Sequence, residues 1–419
     1  MKIKQFRIEG LKGIDSFKMN CSPHVNVIAG ENGAGKSSIL YALEIALSWL
    51  KARLRNRNAS GLYPANSDIK KDKTFSSIFV AAYDGSQELD WEVVRYSNSA
   101  RVKPRRSEFK IMTEYADRQI ENYIKSSGKI SLPMFVKYSV NRSLIDIPVK
   151  VRKKHKLDAL SYYEMPIDAG VNLRAFYEWF REREDIENEI KIEKQNLNYE
   201  DRELKAVRMA ISKVLPEYGE LKSRRRKPAG FELIKDGKSF RMEQLSDGEK
   251  CYITLIADIA RRLAIFNQEG DPLLGEGIIL IDELELHLHP KWQTEAIDKL
   301  KDTFPNCQFF ISSHSPHIIQ NLDLNENQDI LTLIDKGNSI EFSAENGEKI
   351  DKILMNIFGL ESMRPLKAAK AEEKVWKFLR ERNYEGLKEA EEELKRLIPS
   401  NDPVIARIEL QKKINSHLA

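Results

Sequence analysis

The segment Gly30-Glu31-Asn32-Gly33-Ala34-Gly35-Lys36-Ser37-Ser38 constrains the fold of this chain more than any other. Gly30 to Ser37 fits G-x-x-x-x-G-K-[ST], and the setting matters as much as the letters. Ahead of it lies His24-Val-Asn-Val-Ile-Ala29, short and β-branched. Behind it, residues 39–50 are rich in helix formers and apolar nearly all round. Strand, glycine loop and buried helix follow in the order that wrapping a backbone around phosphates requires. The glycines let the chain turn tightly with its N–H groups inward, and the helix presents the positive end of its dipole to an anion. In such a loop Lys36 reaches the β- and γ-phosphates and Ser37 ligates Mg²⁺. The alternative, a chance glycine turn, does not account for the strand and helix on either side.

Three later segments carry complementary chemistry. Ile278-Ile-Leu-Ile281 runs into Asp282-Glu283. In a nucleotide hydrolase such a strand end supplies one carboxylate to the metal shell, here Asp282, and one to polarise the attacking water, here Glu283. Taken alone it is also an ordinary acidic strand end. In Leu245-Ser-Asp-Gly-Glu-Lys250, Ser246 and Glu249 form a capping box before a helix over 251–263. A serine and a glycine at a helix start also suit an anion site. His314, in Ser312-Ser-His-Ser-Pro316 after a short strand at 308–311, is placed to bond a γ-phosphate or orient water, or is a plain loop histidine.

The rest of the chain surrounds these segments. Ile3, Phe6 and Ile8 alternate in an opening strand, and residues 75–96 alternate around a turn at Asp84-Gly85. Residues 101–156 hold 15 Lys/Arg against 5 Asp/Glu, densest at 101–106 and 150–156, with a buried strand expected at 132–138. Residues 171–215 read as charged helix, with Phe176, Trp179 and Phe180 and then Leu204, Val207, Ile211 and Leu215 at helical spacing. A third basic run, 222–227, precedes a strand pair around Asp236-Gly237. Beyond 350, Val375, Phe378 and Leu379 and then Leu387, Ala390, Leu394 and Leu397 predict a helical hairpin about 383–386.

Composition removes whole classes. A hydrophobic fraction of 41% is too high for a disordered chain. Cys21, Cys251 and Cys307 are odd in number and far apart, which predicts no disulfide framework and suits a cytoplasmic setting. No run approaches about eighteen apolar residues, and charges interrupt the first residues, so neither a membrane span nor a signal peptide is expected. The balance of 68 basic to 64 acidic residues is an average that hides patches.

GENGAGKSS, LSDGEK, IILIDELELHLHP and FFISSHSP, in that order, resemble the motifs of ATP-binding-cassette ATPases of the soluble SMC/RecF-like branch. KIKQFRIEGLKGI looks like that branch's first strand. The chain is most similar to the AAA-type, PtuA-like ATPases of bacterial anti-phage systems, in Septu and linked to retrons. The motif core covers about residues 1–50 and 240–335. The resemblance implies an α/β fold: a P-loop ABC-ATPase head with a mixed or parallel sheet, flanking helices and an N-terminal antiparallel sheet, plus an inserted helical lobe and a helical C-terminal tail. It implies a first part of the head over 1–140, a basic segment and lobe over 141–230, the second part of the head over 231–345 and the tail over 346–419.

Site roles follow from the same resemblance. ATP and Mg²⁺ are the implied cofactors. Gly30, Glu31, Asn32, Gly33, Ala34, Gly35, Lys36, Ser37 and Ser38 would bind ATP. Ser37 and Asp282 would hold the metal, and Lys36, Glu283 and His314 would be catalytic. Ser246, Gly248 and Glu249 would act in trans on the nucleotide of a second copy. Two ATP would thus be enclosed in a head-to-tail homodimer, or a higher oligomer built from it, with residues 285–290 crossing the seam. The implied role is sensing and regulating an effector nuclease of HNH type in anti-phage defence. The alternative is a RecF-like repair or recombination ATPase binding DNA, with the runs 101–106, 150–156 and 222–227 on phosphate backbones. Those runs could equally face water or an acidic partner. A transporter cassette would need a metal-side glutamine that is not found; Asn141 occupies a plausible position for it. His287, His289, His314 and His317 could suggest a nuclease metal site, but the resemblance accounts for them without metal, and no nuclease site is expected.

Overall fold

The structure, a computed structural model, describes residues 1–85, 87–140, 159–168, 173–225, 229–323, 329–335, 338–342, 366–381, 383–399 and 402–417. The chain divides into two compact units, residues 1–348 and 349–419.

The first unit opens with β1 (Lys2–Leu11), in which buried Phe6 and Ile8 flank exposed Arg7 as period-two alternation requires. The chain turns through Lys12, at φ 51°, into β2 (Ile14–Asn20). β4 (Phe75–Asp84) pairs on the other side of β1, and β5 (Gln87–Tyr96) completes a four-stranded antiparallel sheet in the order β2-β1-β4-β5. This is the expected N-terminal antiparallel sheet.

The central sheet has six strands. β3 (Val25–Ala29), β6 (Met134–Tyr138), β10 (Gly277–Ile281), β11 (Cys307–Ser313) and β12 (Asp329–Asp335) are mutually parallel, and β13 (Asn338–Phe342) lies antiparallel to β12. Their spatial order is β13-β12-β3-β11-β10-β6. β3, β6, β10 and β11 are buried at every position, so their sequences read as apolar runs rather than alternations. With this sheet and the antiparallel one in place, the fold is the α/β class expected.

Helices α1 (Lys36–Arg55), α2 (Lys110–Lys125), α3 (Ala159–Tyr162), α4 (Leu173–Glu193), α5 (Arg202–Val214), α6 (Asp247–Phe266), α7 (Pro290–Thr303) and α8 (Pro316–Ile319) complete the described part of this unit. The expected helical stretch contains α4 and α5, but the chain then forms a three-stranded antiparallel sheet. Its strands are β7 (Tyr218–Arg224), β8 (Gly230–Lys235) and β9 (Lys238–Arg241). The third basic run therefore begins inside a strand: Lys222 pairs with Glu220 at 2.7 Å, and Arg225 forms an ion pair with Asp185.

The second unit holds helices Leu366–Glu381, Tyr384–Leu397 and Pro403–His417. Val375, Leu379, Leu387, Ala390 and Leu394 form its core with Val404 and Ile408. Asn383 caps the second helix by accepting the Gly386 N–H. Leu397 is 40% exposed, and Ile398 takes the buried place beyond that helix.

Candidate nucleotide site

β3, β10 and β11 run parallel, so their loops leave the sheet at one edge, where open parallel sheets bind ligands. At the end of β3 a Cβ on Gly30 would lie 2.5 Å from the Ile334 carbonyl oxygen, so only glycine lets the loop pass there. Gly33 and Gly35 take φ 81° and 114°, values open to glycine without strain. Lys36 then begins α1. Its side chain folds back over the loop, donating from Nζ to the Gly30 carbonyl at 3.0 Å and the Glu31 carbonyl at 2.8 Å. Burial holds this amine below the ordinary lysine range, while Glu283, Asp282 and Glu285 pull the other way. Glu31, Asn32, Gly33 and Ser37 remain exposed, as loop groups meeting an incoming ligand must.

Ser37 Oγ donates to Asp282 Oδ1 at 3.1 Å, and Ser312 Oγ from the end of β11 donates to the same oxygen. The Ser312 hydroxyl oxygen in turn accepts the Glu283 N–H at 2.8 Å. Asp282 is 6% exposed, and its N–H donates to the Tyr138 carbonyl at 2.8 Å, continuing the β6 edge. Glu283 takes φ 50°, turning out of the strand, and its Oε1 lies 3.9 Å from His314 Nε2. The His314 N–H donates to the Glu285 carboxylate. Lys36, Ser37, Asp282, Glu283 and His314, scattered over almost 280 positions, thus share one edge. Ser312 joins them without having been anticipated, and Glu285, read from sequence only as the start of the seam-crossing stretch, joins them through His314. The serine pair directly after an apolar strand was the available signal for Ser312.

The oxygen donors present suit Mg²⁺. Ser37 Oγ and the Asp282 carboxylate are hard ligands, and Mg²⁺ takes one or two such groups with waters and substrate phosphates. Among the described residues no group of three or more His, Cys, Asp or Glu could hold a metal by itself. His289 caps α7, its Nδ1 accepting the Lys291 N–H at 3.3 Å.

Among the described residues, no hydrogen bond joins Ser246, Gly248 or Glu249 to the 30–38 loop. Ser246 caps α6, with the reciprocal capping box to Glu249 that the sequence predicts. Glu249 also meets Tyr218 and Lys235 on the three-stranded sheet. Gly248 touches the loop at 285–290: a Cβ there would sit 2.1 Å from the His287 carbonyl oxygen. His287 itself has φ 64°. The two segments the resemblance assigns to a dimer seam are therefore packed against each other in one chain. Asn141 and the run 150–156 lie outside the described residues. No helix among the described residues is long and apolar enough to cross a membrane.

The family described as "AAA domain, putative AbiEii toxin, Type IV TA system" matches residues 25–320. The chain is 30% identical to "Retron Vc95 probable ATPase" of Vibrio cholerae serotype O1 biovar El Tor, over 76% of this chain and 71% of that one. It is 25% identical to "Septu protein PtuA" of Bacillus thuringiensis, over 98% and 97% of the two chains. The solved structure of an SmcHead bound to the C-winged helix domain of ScpA covers 82% of this chain and 98% of that chain, at 16% identity and a TM-score of 0.49.

Proposed function

Because this chain belongs to the AAA-domain family just described, we propose that it binds and hydrolyses ATP at the edge formed by β3, β10 and β11. One observation carries the reading: the hydroxyls of Ser37 and Ser312 converge on one oxygen of Asp282, beside a buried lysine folded over a glycine loop. In this reading the backbone from Gly30 to Gly35, with Ser38, cradles the phosphates. Lys36 neutralises charge on the β- and γ-phosphates. Ser37 and Asp282 would hold Mg²⁺, which supplies charge neutralisation to the phosphate oxygens. Glu283 accepts a proton from the attacking water, and His314, 3.9 Å away, fixes Glu283 and meets the γ-phosphate.

Among the described residues, the nucleotide loop and the Ser246–Glu249 segment share no hydrogen bond within one chain, which supports a composite site. Ser246, Gly248 and Glu249 of one copy would close on the ATP of a second, head to tail, giving two sites per dimer. The similarity to a retron ATPase and to Septu PtuA supports a role in anti-phage defence, in which ATP-driven opening and closing controls a partner nuclease of HNH type. The DNA-repair alternative is less favoured. Arg105, in the first basic run, is committed to Glu9 at 2.7 Å, and Lys222 and Arg225 of the third run are paired with Glu220 and Asp185. Light scattering of the Glu283→Gln variant tests the reading. ATP should convert it from monomer to a stable dimer, because the composite site closes and does not reopen. A monomer at saturating ATP would refute the composite site.

A further inference from the structure

We propose that Tyr218 and Lys235 are positioning residues for Ser246, acting through the carboxylate of Glu249. The proposal rests on the role given above to Ser246. It concerns two residues on a different element, the three-stranded sheet, that neither the motif nor the capping box includes.

Tyr218 and Lys235 are register partners across β7 and β8. The Lys235 ammonium lies 5.1 Å from the centre of the Tyr218 ring. Both donate to the same oxygen of Glu249: the Tyr218 hydroxyl at 2.5 Å, and Lys235 Nζ beside it. The other oxygen, Oε2, accepts the Ser246 N–H at 2.7 Å and the Ser246 hydroxyl at 2.8 Å. The Glu249 N–H returns to Ser246 Oγ at 3.3 Å. An isolated capping box uses the serine and the glutamate alone. Here a cross-strand pair holds the far side of the carboxylate, and four donors surround it. Burial pushes the Glu249 carboxyl upward, but the hydrogen bonds from Lys235, Tyr218 and Ser246 outweigh it and hold the group down at about 2. The carboxylate is therefore ionised throughout the physiological range.

This arrangement bears on what Ser246 can do. In the single chain its hydroxyl proton is committed to Glu249. To donate to a phosphate, Ser246 must rotate that proton away, which removes one donor from a partly buried carboxylate. Tyr218, Lys235 and the Ser246 N–H remain, so Glu249 stays satisfied and the first turn of α6 stays in place. Gly248, pressed against the His287 carbonyl, blocks relaxation of that turn by sliding. Without Tyr218 and Lys235 the carboxylate has only Ser246 to hold, and the serine is either retained by it or lost with a frayed turn.

The test uses the full chain carrying Lys235→Met, Tyr218→Phe or the conservative Lys235→Arg. Without nucleotide, amide hydrogen exchange at Ser246 and Glu249 should quicken about tenfold in Lys235→Met and return in Lys235→Arg, as loss of one charge-assisted bond implies. Unchanged exchange at those two amides overturns the proposal whether or not the chain hydrolyses ATP. Turnover supplies a separate readout. Ser246→Ala should lower it, and adding Lys235→Met to Ser246→Ala should lower it no further, since both act on one hydroxyl. Independent, multiplying losses would overturn the proposal. Absence of turnover in the wild-type chain would count against the proposed function alone, and the exchange measurement would still decide this one.

Discussion

Glycine and serine do most of the positioning at the residue scale. Gly248 is required for space: the Cβ of an alanine would lie 2.1 Å from the His287 carbonyl oxygen, a backbone atom that cannot step aside alone. Gly248→Ala should therefore lower the thermal midpoint, at a cost of about 1–3 kcal/mol typical of overpacking, as differential scanning calorimetry would show. Lys51 shows the opposite case, a charge buried at 6% exposure on α1. Burial pushes its amine down to about 8, with Arg262 and Arg55 adding and Glu44 opposing. An unfolded lysine titrates near 10.4, so between about pH 8 and 10.4 the unfolded chain binds more protons and stability rises with pH. Lys51→Met should stabilise the protein by about 2 kcal/mol at pH 7, and thermal unfolding near pH 10.5 should show most of that gain gone. Neither residue announces this role in the sequence. A glycine pressed on a carbonyl and a lysine buried near Arg262 of α6 depend on segments far along the chain.

Elements differ in how much of themselves they reveal. The strand, glycine loop and helix at residues 25–55 were legible because phosphate binding needs all three in one order. The cap on α6 was legible because Ser246 and Glu249 are local. β2 was not, since the turn at Lys12-Gly13 reads as a loop, and the pairing of β1 with β4 spans a long separation. The buried polar group of α6 was hidden by ordinary helical spacing. Asp258 with Arg261 and Arg262, at i+3 and i+4, looks like a solvent-facing ion pair. In the fold Asp258 is fully buried, bonded to both arginines and to the Tyr138 hydroxyl at 3.0 Å. Burial would raise its carboxyl, but Arg262 and Arg261 outweigh that and hold it below the ordinary value. Its contribution to stability is thus complete above the unfolded value, near pH 4, and is lost as pH falls toward the lower folded value. Asp258→Asn should cost about 3–5 kcal/mol at pH 7 by leaving two buried guanidinium groups uncompensated, and should flatten the acid limb of a stability-against-pH curve.

At the scale of the whole molecule, the near balance of 68 basic and 64 acidic residues conceals which charges are free. The basic run at 101–106 was visible in the sequence, but its partner was not: Arg105 meets Glu9, 96 positions away, across the antiparallel sheet. The site was legible as a set of motifs, and the resemblance already gave Ser246 to the nucleotide of a second copy. The fold adds that, among the described residues, Ser246 bonds Glu249 and not the nucleotide loop of its own chain. That lack of contact and the resemblance together are the basis for the proposal that each ATP site is built from two copies. Mixing two variants of low turnover tests it most directly. Lys36→Ala disables the nucleotide loop, and Ser246→Ala disables the segment that would close on it from the other copy. In a mixed dimer one site would combine the two intact halves, while the other would combine both lesions. An equimolar, equilibrated mixture should therefore recover about a quarter of wild-type ATP turnover, since half the dimers are mixed and each carries one whole site. Turnover no higher than the mean of the two parent variants would contradict a site shared between copies.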